Sequence, residues 1–128
     1  MFENLTVFKT ASAMARHAGQ SQALIAQNVA NANTPNYVGR QVAPFASLYA
    51  PSEGGTTQRA TRGGHLNGSV EGQEWAKTEI RNGENPNQNT ISLEAELLRS
   101  AEAKTDHDRA LAIYKSALDV LRMAVRTN

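Results

Sequence analysis

The chain has 128 residues, enough for one domain, and its 13 basic and 12 acidic side chains give a net charge of +1, which suggests neither nucleic acid nor an anionic membrane surface as a partner; direct membrane insertion is not expected either. With no cysteine, disulfides and thiol catalysis are excluded, and the chain suits an oxidising compartment. The hydrophobic fraction of 40% leans on alanine and only 5% of residues are aromatic, so the apolar surface is expected to be completed by partners rather than by a large internal core.

The first element is a long helix, expected from about Asn4 to Asn33. Counting in alternating steps of three and four gives Phe8, Ala11, Ala15, Ala18, Gln22, Ile25, Val29 and Ala32, of which seven of eight are apolar. That is the narrow seam of a coiled coil rather than the wider face of a globular helix. Gly19 lies in this alanine-rich stretch and costs about 1 kcal/mol relative to Ala. It reads as a point of close approach or as a tolerated surface glycine. Residues 1–33 hold a single acid, Glu3, against Lys9 and Arg16, and lack the basic, apolar and small-residue regions of a cleaved signal peptide. No stretch approaches the roughly 18 consecutive apolar residues of a membrane span.

Gln27 to Tyr37 closes this helix. Thr34 precedes a proline and is disfavoured in the α region, Pro35 has no N–H to donate, and Asn33 and Asn36 tolerate left-handed turn conformations. Asn28 and Asn31 lie one turn apart on the alanine-rich helix.

Residues 34–91 change character. All four prolines and eight of the nine glycines fall there, which forbids long helices and argues for turns and extended segments. Val42, Phe45 and Leu48 are spaced like one helical turn that packs back on the first helix. Glu74 to Ile80 alternates weakly like a strand before Arg81-Asn82-Gly83, a hairpin-turn signal, but the residues through Asn89 are too polar for a confident second strand. Contacts to other subunits are expected to tie this segment down.

The second long helix is expected from an N-cap at Ser92, with Glu94 and Glu96 in its first turn, to about Arg126, with Arg122 and Arg126 in its last. Its seam reads Leu93, Leu97, Ser100, Lys104, His107, Leu111, Tyr114, Leu118, Leu121 and Val125, apolar at both ends and polar in the middle. Glu96–Arg99, Asp106–Arg109 and Asp119–Arg122 are i,i+3 pairs, each worth a few tenths of a kcal/mol. At 1.5 Å per residue the two helices are about 45 and 50 Å long and match for lying side by side.

Chemistry is absent from this pattern. His17, His65 and His107 have no metal-ligand spacing, and the consecutive residues of Asp106-His107-Asp108 point about 100° apart on a helix. No nucleophile elbow or phosphate loop occurs, and the Arg59–Arg62 cluster lacks interleaved aromatics. No catalytic, metal-ligating or cofactor-binding residue is assigned, and no cofactor is expected. The expected fold is mainly α: N- and C-terminal helices pairing as a coiled-coil-like hairpin around a loop-rich middle with room for a short β-hairpin. The parts are residues 1–34, 35–91 and 92–128, with both helices forming one domain.

The run Ala26, Asn28, Ala30, Asn31, Thr34, Pro35 and Tyr37 resembles the N-terminal signature of bacterial flagellar rod, hook and hook-associated proteins. Asn36 stands where many members carry Gly. The short length, the segment Tyr37 to Leu48 and the ending Leu93-Glu94-Ala95-Glu96-Leu97 to Arg122 look most like the basal-body rod proteins of the proximal rod. The resemblance implies a structural subunit of a hollow helical drive shaft that spans the periplasm, transmits torque and conducts exported subunits. It also implies secretion by the flagellar type III export apparatus without a cleaved signal peptide. The implied partners are other copies of the chain, other rod proteins and an adaptor at the membrane ring. Under that reading Phe8, Ala11, Ala15, Ala18, Ile25, Val29, Leu93, Leu97, Leu111, Tyr114, Leu118, Leu121 and Val125 are subunit-interface seams. A rival reading is a soluble coiled-coil chaperone or adaptor that binds a client helix. With stripes this narrow, the isolated chain is expected to be mostly unfolded and to gain its helices on assembly.

Overall fold

The computed structural model describes residues 2–48, 75–81 and 86–126. Two long helices dominate, α1 (Phe2–Ala30) and α3 (Leu93–Arg126). Between them lie a three-residue strand β1 (Arg40–Val42), a one-turn helix α2 (Phe45–Leu48) and a second three-residue strand β2 (Lys77–Glu79). The helices pair antiparallel: the ring of Phe8, near the start of α1, stands edge-on to Tyr114 at 5.1 Å, whereas Asn28, near its end, meets Glu96 in the first turn of α3. The expected helical hairpin is the observed fold.

The boundaries follow the local chemistry. Ser92 caps α3 as expected, its carbonyl accepting from the Glu96 N–H at 3.0 Å, with Glu94 and Glu96 at the positive end of the helix dipole. The first helix begins earlier than expected, at Phe2 rather than Asn4, and ends at Ala30 rather than Asn33.

The described parts of the middle are bound to α1 by hydrogen bonds within the chain. Antiparallel β1 and β2 pair Arg40 with Glu79, Gln41 with Thr78 and Val42 with Lys77. Thus the strand expected before Arg81 exists, but its partner is the segment after Tyr37 and not a continuation through the Asn82-Gly83 turn, which lies outside the described residues. Residues 36–39 also run beside 87–90, the Asn36 N–H donating to the Asn87 carbonyl at 3.1 Å and the Thr90 N–H to the Tyr37 carbonyl at 3.2 Å. The helical turn expected over Val42, Phe45 and Leu48 is split: Val42 is in β1, and only Phe45 to Leu48 coil. His65 and the Arg59–Arg62 cluster lie outside the described residues.

The core is thin. Among the described residues its buried apolar side chains are Ala11, Ala18, Leu24, Ile80, Ile91, Ala103 and Ala110, four of them alanines. A methyl group contributes about 0.8 kcal/mol on burial against about 1.5–3 for a whole Leu or Ile, so the helix pair is close but weakly glued. The heavier apolar contacts sit where the strap of residues 36–48 and 75–81 meets the approach to α3. Gly39 is buried there, and a Cβ on it would collide with Ile91 Cδ1 and lie 3.1 Å from Ile80 Cδ1. Gly19, by contrast, has nothing within 4 Å of the place its Cβ would take, so within this chain it is not a point of close approach.

The two glycines therefore respond oppositely to one methyl group. Gly39→Ala should destabilise the chain by about 1–3 kcal/mol through overpacking, whereas Gly19→Ala should stabilise α1 by about 1 kcal/mol. Thermal denaturation followed by circular dichroism checks both signs.

Candidate functional site: a buried asparagine node

The signature run folds into the turn that reverses the chain. The Asn31 N–H is shared between the carbonyls of Gln27 (3.2 Å) and Asn28 (3.1 Å). The Ala32 and Thr34 N–H groups then reach back only three residues, to Val29 (3.2 Å) and Asn31 (2.9 Å). This tightening into 3₁₀-type bonds ends α1 before Asn33. The Asn31 side chain ties the turn from within: its Nδ2 donates to the Gln27 carbonyl at 2.8 Å, and its Oδ1 accepts from Thr34 Oγ1 at 3.3 Å. Pro35 follows the turn, and Asn36 takes φ 59°, the left-handed conformation expected of an Asn in a glycine-rich position.

The residue that closes this end was not legible as such. Asn89, fully buried, points its Nδ2 at three carbonyls, Asn31 (3.0 Å), Ala32 (2.9 Å) and Thr34 (2.8 Å), and its Oδ1 accepts from the Ile91 N–H at 2.8 Å. These carbonyls lie in the turn just beyond Ala30, and buried backbone acceptors there need donors, which one carboxamide, 55 to 58 residues away in sequence, supplies. The stop is set by this distant tie together with the proline. Its only sequence trace was a polar run beside a helix start.

Asn28 is the centre of the site, 1% exposed. Its Nδ2 donates to the Arg40 carbonyl at 2.8 Å and to Glu96 Oε2 at 3.3 Å, while its Oδ1 accepts from the Arg40 N–H at 3.1 Å and from Tyr37 Oη at 3.4 Å. A single carboxamide thus grips both polar groups of one strap residue and reaches the other long helix. Glu96, also 1% exposed, gives its second oxygen to Arg99 Nη1 at 2.5 Å. A buried carboxylate is tolerable only when it is paired and hydrogen-bonded, and Asn28 and Arg99 together meet that condition. The i,i+3 pair expected between Glu96 and Arg99 is therefore not a surface pair, unlike Asp106–Arg109 and Asp119–Arg122, each at 3.4 Å and exposed.

Two more polar side chains of α1 grip the strap by its backbone. His17 Nε2 lies 2.8 Å from the Ala43 carbonyl, its ring against Phe45 (5.5 Å) and edge-on to Trp75 (5.2 Å). Gln20 donates to the Trp75 carbonyl at 2.8 Å and accepts from the Trp75 N–H at 3.1 Å. His17, Gln20 and Asn28 were not grouped by the sequence, although the repeat of polar side chains along one side of an alanine helix is a signal that a strap crosses it.

The other expected residues are placed as follows. Of the signature, Asn28 is buried, Asn31 and Tyr37 are half-buried, and Ala30, Thr34 and Pro35 are exposed. On α1, Ala11 and Ala18 are buried against α3, Phe8, Ala15 and Ile25 are half-buried, and Val29 is exposed. On α3 the buried residues are Glu96, Ala103 and Ala110, a seven-residue repeat of small or hydrogen-bonded side chains. Leu118 and Leu121 are half-buried, but Leu93, Leu97, Leu111, Tyr114 and Val125 are exposed, Leu97 at 70% and Val125 at 76%. Leu93, Leu97, Leu111 and Val125 of this seam are therefore left exposed beside α1, while Tyr114 still meets Phe8. Asp106 and Asp108 are engaged by Arg109 and Lys104, and no group of three potential metal ligands occurs among the described residues.

No family model matches the chain. It is similar to the flagellar basal body rod protein FlgB of Agrobacterium fabrum, with 26% identity over 126 residues that cover 95% of this chain and 94% of that protein.

Replacing Asn28 by the isosteric Asp separates hydrogen bonding from packing. Asn28→Asp sets a carboxylate against the Arg40 carbonyl and Glu96, so the midpoint of thermal unfolding at neutral pH should fall at least as far as in Asn28→Ala, each by the equivalent of about 1–3 kcal/mol. An unchanged midpoint in Asn28→Asp would mean that the carboxamide only fills space.

Proposed function

We propose that this chain, a homologue of the flagellar basal-body rod proteins, is a structural subunit of the proximal rod. The observation that carries this reading is the similarity to FlgB, which runs through nearly the whole of both chains and so takes in both long helices and the strap between them. Copies polymerise, with other rod proteins, into the hollow shaft that transmits torque and conducts exported subunits. An adaptor at the membrane ring and the flagellar type III export apparatus are the further partners. No described helix is long and apolar enough to cross a membrane.

The physical support lies on α3. Its buried apolar residues, Ala103 and Ala110, are small, and several of its large ones, Leu93, Leu97, Leu98, Leu111 and Val125, are exposed. In this reading residues 1–34 and 92–128 form the helical wall of the tube, and these leucines meet neighbouring subunits. A mechanical shaft wants this arrangement: rigid paired helices inside each subunit and apolar contacts between subunits that repeat along a helix.

Leu97→Asp tests the reading without touching the internal helix contact. Burying a Leu is worth about 1.5–3 kcal/mol and an unpaired charge in its place costs more. In a strain lacking the natural chain, Leu97→Asp should keep its circular dichroism spectrum yet lose swimming and incorporation into basal bodies, whereas Asp119→Asn should retain both. Full motility in Leu97→Asp would contradict the assignment. A wild-type chain that stays a monodisperse soluble species and never enters basal bodies would favour the chaperone or adaptor instead.

A further inference from the structure

Resting on the rod reading, we infer that successive copies make a head-to-tail contact in which the outer face of α1 from one copy lies in a groove of the next. The groove has a volume of about 330 Å³ and runs between α1, the strap and α3. Leu24, Ile25, Val42, Pro44 and Ala103 supply its apolar lining. Most of its charges are already spent, Glu96 on Arg99 and Asp106 on Arg109. Glu102 on the α3 rim and Arg40 on the strap rim remain, and neither has an ion-pair partner among the described residues.

The complementary surface is on the same chain. On the side of α1 away from Ser21, Leu24 and Ile25, the residues at alternating spacings of three and four are Lys9, Ser12, Arg16, Gly19, Ala23 and Ala26, all exposed or half-buried. Gly19 has open space above it. Between its two long side chains and beyond them this face carries only Ser, Gly and Ala, so another surface can come close to its backbone. Its only charges are the two cations, Lys9 and Arg16, again without an ion-pair partner among the described residues. Seated in the groove, Arg16 answers Glu102 on the α3 rim and is repelled by Arg40 on the strap rim, which fixes the direction of approach. Because face and groove lie on opposite sides of α1, the contact cannot be two-fold. It is heterologous, and it propagates as an open assembly.

The test is a charge exchange backed by crosslinking, with each variant expressed in a strain lacking the natural chain. Arg16→Glu and Glu102→Arg should each lower incorporation into isolated basal bodies at least tenfold, and the two together should restore at least half of it. Single variants that incorporate like wild type, or a double variant no better than the singles, would overturn the contact. Should either single variant lose helical content, cysteines introduced at Gly19 and Gln41 of the otherwise cysteine-free chain carry the test. Oxidation of basal bodies should then give a ladder of dimers, trimers and longer chains from the doubly substituted protein. Each singly substituted protein alone should stay unlinked. No ladder, with the protein present in basal bodies, would refute the contact and leave the rod reading standing. Wild-type protein missing from basal bodies would refute both.

Discussion

The carboxamide of Asn28 is the interaction on which the rest depends. At its side chain α1, the strap and α3 meet through hydrogen bonds, via the N–H and carbonyl of Arg40 and the carboxylate of Glu96. An amide suits the position because it donates and accepts at once, and the strap residue presents one donor and one acceptor. Asp offers no donor at neutral pH, and Leu neither a donor nor an acceptor. The burial of Glu96 follows from the same geometry, since only a paired acceptor can stand in a dry interface beside that Nδ2.

A polar node of this kind makes sense beside so small an apolar core. Alanines let α1 and α3 approach closely while contributing little area each, so position is fixed by directional bonds: Asn28 to Arg40, His17 to Ala43, Gln20 to Trp75 and Asn89 to the end of α1. Among the described residues no buried side-chain nitrogen or oxygen lacks a partner. Three of these links run from a side chain of α1 to backbone of the strap. They hold the strap while leaving its own side chains to vary or to face other molecules. Leu93, Leu97, Leu111 and Val125 of α3 are then left on the outside.

Much of this was legible in the chain. The long helices follow from apolar spacing and from Ser92 followed by two acids. The reversal follows from Thr34-Pro35 with Asn36, because those residues restrict the backbone locally. What was not legible depends on residues far apart. Nothing near Asn89 shows that its amide ties the turn that follows α1, 55 to 58 residues earlier, and nothing in the acidic first turn of α3 shows that Glu96 is buried while Glu94 is exposed. The leucines of α3 read as a seam between subunits, and the residues that face inward within the chain, Ala103 and Ala110, were not singled out, because small side chains give no apolar periodicity in an alanine-rich helix. Gly19 was open to two readings for the same reason: an unfilled space beside a glycine cannot be seen until its neighbours are placed.

The central claim is that one node closes the helix pair and the strap together. Native-state hydrogen exchange on the full chain tests it most directly. If the claim holds, the amides of Arg40, Ile80, Ile91 and Glu96 should exchange with one common opening free energy, shared with the C-terminal half of α1, because loss of the Asn28 node frees them all. Arg40 and Ile80 amides exchanging at the rate of an unstructured chain while α1 and α3 stay protected would contradict it.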